Sequence, residues 1–120
     1  MTAVDCRQHH AILAVRDVSA AVDFYTKKLG FWCPFTEGDP PHFAGINLGQ
    51  VQIFLVQGTP GSGDCGVYFV VSDADALYAL HRANGVEVAI EIGDREYDLR
   101  DYRVRDVDGY SLSFGHRLGS

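Results

Sequence analysis

The side chains best suited to holding a metal ion or attacking a substrate are five histidines and three cysteines in a chain of 120 residues. The cysteines, Cys6, Cys33 and Cys65, are odd in number and too widely spaced for a structural zinc site, which predicts reduced thiols. The sequence contains no nucleophile elbow, phosphate-binding loop or dinucleotide-binding glycine motif. Any chemistry must therefore come from side chains that the fold brings together.

His10 is the strongest single candidate. It lies in a mostly apolar run, residues 9–15, whose Ile, Leu and Val predict a β-strand. Successive side chains of a strand point to opposite faces, so Ile12 shares a face with His10 while His9 points away. His10 is predicted to ligate a metal or to donate a hydrogen bond to a bound molecule. The alternative is a histidine without a specific role.

A second set of candidates lies nearer the C-terminus, at Tyr97, Arg100 and Arg103. Tyr97 and Arg100 fall in or beside a predicted loop, where they would contact a ligand or remain solvated. On the strand that follows, Tyr102 and Val104 are predicted to face the core, which puts Arg103 on the opposite face. Arg103 is predicted to donate to a ligand, or else to pair with an acidic neighbour across the strands.

The elements that must position these residues occur twice in the same order. Each half is predicted as a strand, a helix and three strands, and a Gly-rich stretch at 58–64 separates the halves. Asp17 or Ser19 could cap the first helix, and a capping-box sequence begins at Ser72 before the second. The predicted strands are 9–15, 31–35, 43–48, 51–57, 66–71, 86–92, 99–105 and 111–114. The predicted buried stripes are Val18, Val22, Tyr25 and Leu29 on the first helix and Ala76, Leu77, Leu80 and Ala83 on the second.

This repeat predicts an α+β fold in which two βαβββ modules share one domain, residues 1–120. Module one is predicted at about 8–57 and module two at about 65–116. Neither half is large enough to form a stable core alone, so they must pack against each other. We expect a curved mixed sheet around a cleft, with the helices on the convex side.

Charge and hydropathy argue against several classes of partner. Ten basic and sixteen acidic residues give a net charge of −6 without a basic cluster, which disfavours nucleic acid and anionic membrane surfaces. The sequence shows no signal peptide and no apolar run of about 20 residues, so we expect a cytoplasmic protein without a membrane span. The negative charge favours a neutral or cationic small ligand, through steering only.

Three motifs in order connect the sequence with a known family. Residues 10–18 are similar to that family's first strand and turn, and residues 23–31 (DFY, then LGF) to its first-helix signature. Residues 106–110 (DVDGY) are similar to the turn before its last strand, with Val107 where proline is usual. Over residues 9–116 the sequence resembles the vicinal oxygen chelate superfamily, also called the glyoxalase/bleomycin-resistance/dioxygenase fold.

The resemblance implies a cleft that often holds a divalent metal on His, Glu or Gln from the first and last strand of each module. Those four positions correspond to His10, Phe54, Val67 and Ser113. Only His10 is a strong ligand, and Gln52 is a shifted alternative on the same face as Phe54. We therefore expect no catalytic metal and no other cofactor, unless His9 or His42 converges on the site.

The remaining lining of the predicted cleft is apolar and aromatic. Ile12, Phe54, Val67 and Phe69 are predicted to face the cleft, and Trp32 to line it or a subunit contact. The prediction is a homodimeric, non-catalytic protein that binds or sequesters a small, partly aromatic, antibiotic-like molecule. One alternative is a metal-dependent lyase, isomerase or dioxygenase with a displaced ligand set that includes His10. The other is a structural or regulatory module with a vestigial cleft.

Overall fold

The computed structural model describes residues 3–61 and 65–119, and over these it has two helices and eight strands in the predicted order. The α+β prediction is confirmed. Part of the predicted linker, residues 62–64, lies outside the described residues. The elements are β1 Ile12–Val15, α1 Val18–Lys27, β2 Trp32–Gly38, β3 Pro41–Leu48, β4 Val51–Gln57, β5 Gly66–Val70, α2 Ala74–Ala83, β6 Val88–Asp94, β7 Leu99–Arg105 and β8 Ser111–Arg117.

The strands form two four-stranded mixed sheets with the same topology. Their orders are β1-β4-β3-β2 and β5-β8-β7-β6, with the first pair parallel and the others antiparallel. Helix α1 packs on the first sheet and α2 on the second. We call β1–β4 with α1 module one, β5–β8 with α2 module two, and the side of each sheet away from its helix the open face. Neither helix of the described residues has the length and hydropathy to cross a membrane.

Helix α1 begins where the side chain of Asp17 accepts a hydrogen bond from the Ala20 N–H, so Asp17 rather than Ser19 is the N-cap. Val18, Ala21 and Tyr25 are the residues that it buries. The predicted stripe is close to this face, because residues three and four apart lie on one side of a helix.

Helix α2 faces its sheet with a different side from the one predicted. Its N-cap is Asp73, not Ser72, and its buried residues are Ala74 and His81. Leu80, predicted as buried, keeps 42% of its surface exposed. The apolar pattern predicted the wrong face of α2 because a histidine, His81, occupies a core position. His81 can be buried there because both of its ring nitrogens have hydrogen-bond partners.

Buried polar contacts join the two modules. The Tyr25 hydroxyl, on α1, donates to Asp106 Oδ2 at 2.5 Å, in the turn before β8. Asp106 Oδ1 accepts from the N–H groups of Asp108 and Tyr110. The Tyr110 hydroxyl in turn donates to the Ala14 carbonyl in β1 at 2.7 Å. The DVDGY turn of the second module is thus tied to the helix and first strand of the first.

His81 forms a second buried link between the modules. Its Nε2 lies 2.9 Å from the Leu29 carbonyl, which can only accept, so Nε2 carries the proton. Nδ1 is then the acceptor for the Tyr102 hydroxyl, also at 2.9 Å. Beside it, Phe69 stacks on Phe114 with ring centroids 5.0 Å apart. Both modules therefore contribute to one continuous core.

The Tyr25 contact gives a first prediction. We expect Tyr25→Phe to lower the free energy of unfolding by about 2 kcal/mol, because the buried Asp106 carboxyl loses a hydrogen-bond donor. Tyr78→Phe is the matched control, since within residues 3–61 and 65–119 the Tyr78 hydroxyl has one hydrogen bond, accepted from the exposed Arg82 guanidinium. Urea unfolding followed by circular dichroism measures both. Equal losses in the two variants would contradict a structural role for the Tyr25 hydroxyl.

A second prediction concerns acid stability. Burial lowers the pKa of the His81 imidazole below its ordinary value of 6.5, outweighing the hydrogen bond to Leu29. The unfolded chain then takes up this proton first, so the stabilisation is complete above about pH 6.5 and is lost as the pH falls towards the lowered pKa. Urea unfolding from pH 8 to pH 5 should show this loss, with a shallower slope in His81→Gln. An unchanged slope in that variant would mean that other groups cause the acid sensitivity.

Candidate functional site

The open face of module one carries a cluster of three phenylalanines. Phe43 lies 5.3 Å from Phe54 and 6.1 Å from Phe35 between ring centroids. These rings come from β3, β4 and β2. They share a face because Gly45 pairs with both Phe35 and Phe54, and Phe43 lies two residues before it on the same strand. A Cβ at Gly45 would collide with the Phe35 ring. The missing side chain therefore lets the Phe35 ring lie across the sheet as a flat aromatic surface.

His10 lies at the edge of this aromatic cluster. Its ring is 4.8 Å from that of Phe54, at an interplanar angle of 41°. Nδ1 is 2.7 Å from the Gln52 carbonyl, which can only accept, so Nδ1 carries the proton. Nε2 lies 2.9 Å from Gln8 Oε1, so both ring nitrogens face oxygen atoms. These two contacts hold the His10 ring in place next to an aromatic surface.

The other predicted residues of module one lie on the same open face. Ile12, paired with Phe54, is 63% exposed. Gln52 donates through its amide to Asn47 Oδ1 at 2.9 Å, which holds two polar side chains beside the rings. Trp32, paired with Asn47, is 56% exposed. Ile12, Gln52 and Phe54 thus lie on the faces that strand alternation predicts.

The open face of module two is polar and is organised around Asp101, which is only 5% exposed. Its Oδ2 accepts from the hydroxyls of Tyr68 and Tyr97, both at 2.7 Å, and its Oδ1 from Arg95 Nε at 2.8 Å. Burial opposes the charge on Asp101, but these three donors together lower the pKa of its carboxyl. A Cβ at Gly115 would overlap the Tyr68 hydroxyl, so this glycine permits the arrangement.

Arg103 and Ser113 lie beside this cluster and pair across β7 and β8. Arg103 is exposed, and its Nε donates to Ser113 Oγ at 3.3 Å. Arg100 is different: it lies on the helix side of β7, where it pairs with Asp75 and Asp94 at 3.0 and 2.9 Å. Arg100 stands beside the loop at 95–98, as predicted, but its register matches that of the core-facing Tyr102, so its side chain lies away from the open face.

The strand β5 also shows the opposite face from the one predicted. Phe69 is buried against Phe114 and Phe31, and Val67 packs against the same core. The open face carries Tyr68 instead, paired with Ser113. A mostly apolar strand lacks the alternation that would show which of its faces is buried. The face of β5 is decided by the core space between the modules, which Phe69 fills.

This shift changes one of the four positions at which the family's metal ligands would lie. His10 lies seven residues before the N-cap of α1, and Gly66 occupies the same place before the N-cap of α2. The four side chains are then His10, Phe54, Gly66 and Ser113. This set does not fit a divalent metal, because it offers one imidazole and one hydroxyl as donors, while a phenyl ring and a glycine offer none. Neither His9 nor His42 belongs to a potential ligand cluster with His10 among the residues described.

One group of potential ligands does occur elsewhere in the described part of the chain. Ligand atoms of Asp73, Asp75 and His116 lie within 4.8 Å of one another at the start of α2. Each already has a partner: Asp73 caps the helix, Asp75 pairs with Arg100, and His116 Nδ1 accepts from the Ala74 N–H. Their arrangement is explained by capping the helix and anchoring β7.

The network around Asp101 includes functional candidates that sequence reasoning missed. Tyr68, Arg95 and Asp101 were not among the predicted site residues, although the alternation of β7 places Asp101 on the same face as Arg103. A hydroxyl within the apolar run GVYFV was the available signal that Tyr68 faces away from the core. Together these side chains line a pocket of about 270 Å³ with Ile90, Tyr97, Tyr102, Arg103 and Ser113.

Solved structures show where this architecture recurs. TioX from Micromonospora sp. ML1 matches with a TM-score of 0.79 at 24% identity, over 92% of this chain and 100% of that one. A glyoxalase-related enzyme from Clostridium phytofermentans gives 0.82 at 17% identity, over 98% and 100%. A lactoylglutathione lyase from Agrobacterium tumefaciens gives 0.77 at 16% identity, over 93% and 94%. At these identities the likeness shows the fold alone.

The sequence itself carries the family assignment. A search of curated proteins finds no significant match. The family model of the Glyoxalase/Bleomycin resistance protein/Dioxygenase superfamily, however, matches residues 7–114, nearly the whole chain. The match includes all three motifs and both modules. The chain therefore belongs to the Glyoxalase/Bleomycin resistance protein/Dioxygenase superfamily.

Proposed function

We propose that this protein binds and sequesters a small, planar, partly aromatic molecule, of the kind found among antibiotics, without a catalytic metal. The observation that carries the proposal is the cluster of Phe35, Phe43 and Phe54 on a sheet face that no element of the described chain covers. Flat rings stack favourably on such a surface, and their burial removes apolar area from water.

Polar groups beside the rings support specific binding rather than non-specific hydrophobic association. The His10 ring is fixed at the edge of the Phe54 ring by contacts of both its nitrogens, and the Gln52–Asn47 pair lies on the same face. A largely apolar pocket with a few fixed polar groups is the usual form of a small-molecule site. Trp32, the single tryptophan of the chain, lies on this face and gives a direct optical signal.

The test is a screen of planar aromatic probes, with naphthalene, quinoline and acridine derivatives, by Trp32 quenching and by melting temperature. We expect saturable binding, weakened roughly tenfold or more in Phe54→Ala, which removes the central ring of the cluster. Leu80→Ala, on the exposed side of α2, is the control and should bind as the unaltered protein does. If no member of the set binds or stabilises the fold, sequestration is contradicted.

The same preparation tests the enzymatic alternative. The protein is loaded with Ni²⁺, Mn²⁺, Zn²⁺ or Fe²⁺, dialysed, and assayed for metal per chain. One metal retained per chain, and lost in His10→Ala, would favour a metal-dependent lyase, isomerase or dioxygenase. We expect no such retention, since His10 is the one strong donor among the four family positions.

We further propose that two copies form a homodimer. The edge strands β1 and β5 expose apolar side chains, with Ile12 63% and Val70 70% exposed. A second copy could cover these edges and set an aromatic open face against a polar one. We expect light scattering to give a dimer, and Val70→Glu to shift it towards monomer while Val107→Glu, in the DVDGY turn, does not. A monomeric unaltered protein at micromolar concentration would contradict this assembly.

A further inference from the structure

Three of the four arginines in residues 88–105 are paired with carboxylates. Arg95 pairs with Asp101 at 2.8 Å, Arg100 with Asp94 at 2.9 Å, and Arg105 lies 4.0 Å from Glu87. Arg103 has no ion pair with any residue that the structure describes. Its recorded hydrogen bond uses Nε, towards Ser113 Oγ, which leaves both terminal nitrogens of the guanidinium available as donors.

Arg103 also occupies a central place on the open face of module two. Together with Tyr68 and Ser113 it lines the 270 Å³ pocket around Asp101 and a neighbouring one of about 400 Å³. Asp101 does not compete for Arg103, because the donors described above engage both of its oxygens. The 270 Å³ pocket therefore contains two arginines and one aspartate, and its net charge is positive in a chain of net charge −6.

We propose that Arg103 recognises an acidic group, a carboxylate, on the ligand of this site. A guanidinium with two free terminal donors matches the two oxygens of a carboxylate, and the Ser113 hydroxyl beside it fixes the Nε end. The inference rests on the proposed function, in which a second copy sets the polar open face of module two against the aromatic open face of module one. It sharpens that function: the ligand is a planar ring that bears an acid. It reverses the expectation from net charge, which favoured a neutral or cationic ligand. A charged group in the pocket acts on the ligand more strongly than the distant, salt-screened charges that make up the net charge of the chain.

The test compares 2-naphthoate with 2-naphthamide, which share the ring and differ in charge, by calorimetric titration at low salt. We expect the unaltered protein to bind the carboxylate roughly tenfold more tightly than the amide, the usual difference for a charge-assisted contact. In Arg103→Gln this preference should vanish, with amide binding unchanged. Arg103→Lys should keep part of it, since the charge remains but the paired donors are lost.

Arg105→Gln is the matched control, because Arg105 lies on the same face of the same strand and contacts Glu87 and the Gly109 carbonyl instead. It should keep the full preference for naphthoate. Equal affinity for naphthoate and naphthamide in the unaltered protein, or a preference that survives Arg103→Gln, would overturn the acid site and leave the binding function standing. Binding of neither naphthalene also overturns it. The binding function itself fails only if the wider planar set gives no binding.

Discussion

A four-stranded sheet has two faces, and each sheet of this protein has one helix of ten residues to cover them. The helix buries one face and leaves the other open. Every buried hydrophobic side chain of the strands lies on the helix side or between the modules, where the two halves complete one core. The side chains of the open faces are therefore not needed to form the core, and they are free to contact a ligand instead.

The two open faces carry different kinds of side chain although the two sheets have the same topology. In module one, Gly45 allows the Phe35 ring to lie flat across the sheet, and the face is aromatic. In module two, Gly115 allows the Tyr68 hydroxyl to reach Asp101, and the face is polar. In both cases a missing side chain on a central strand makes room for a ring from a neighbouring strand. A ligand placed between such faces would meet stacking on one side and hydrogen bonds on the other.

Two of the four positions that correspond to the family's metal ligands hold Phe54 and Gly66. Phe54 contributes an aromatic ring to the open face, and a Cβ at Gly66 would collide with the Ser111 carbonyl of the neighbouring strand. Nothing that holds the modules together depends on these positions. The contacts of Tyr25 with Asp106 and of His81 with Leu29 lie on the helix side, and they can be kept while the open faces change.

The sequence determined the order of elements and the α+β class. It also determined the face of β7, because charged residues alternate there with Tyr102 and Val104. The faces of β1 and β4 followed from the family positions at His10 and Phe54. Strand ends were less well predicted, since pairing with a neighbour extends β2 to Gly38 and β8 to Arg117 beyond their apolar runs. Tertiary structure alone decided the faces of β5 and α2. The strand GVYFV has the Tyr68 hydroxyl as its one polar side-chain group, and His81 is polar but buried, so the apolar pattern alone gives neither orientation. Packing between the modules settles both: Phe69 fills the core, His81 finds two partners there, and Tyr68 is left on the open face beside Asp101 and Arg103.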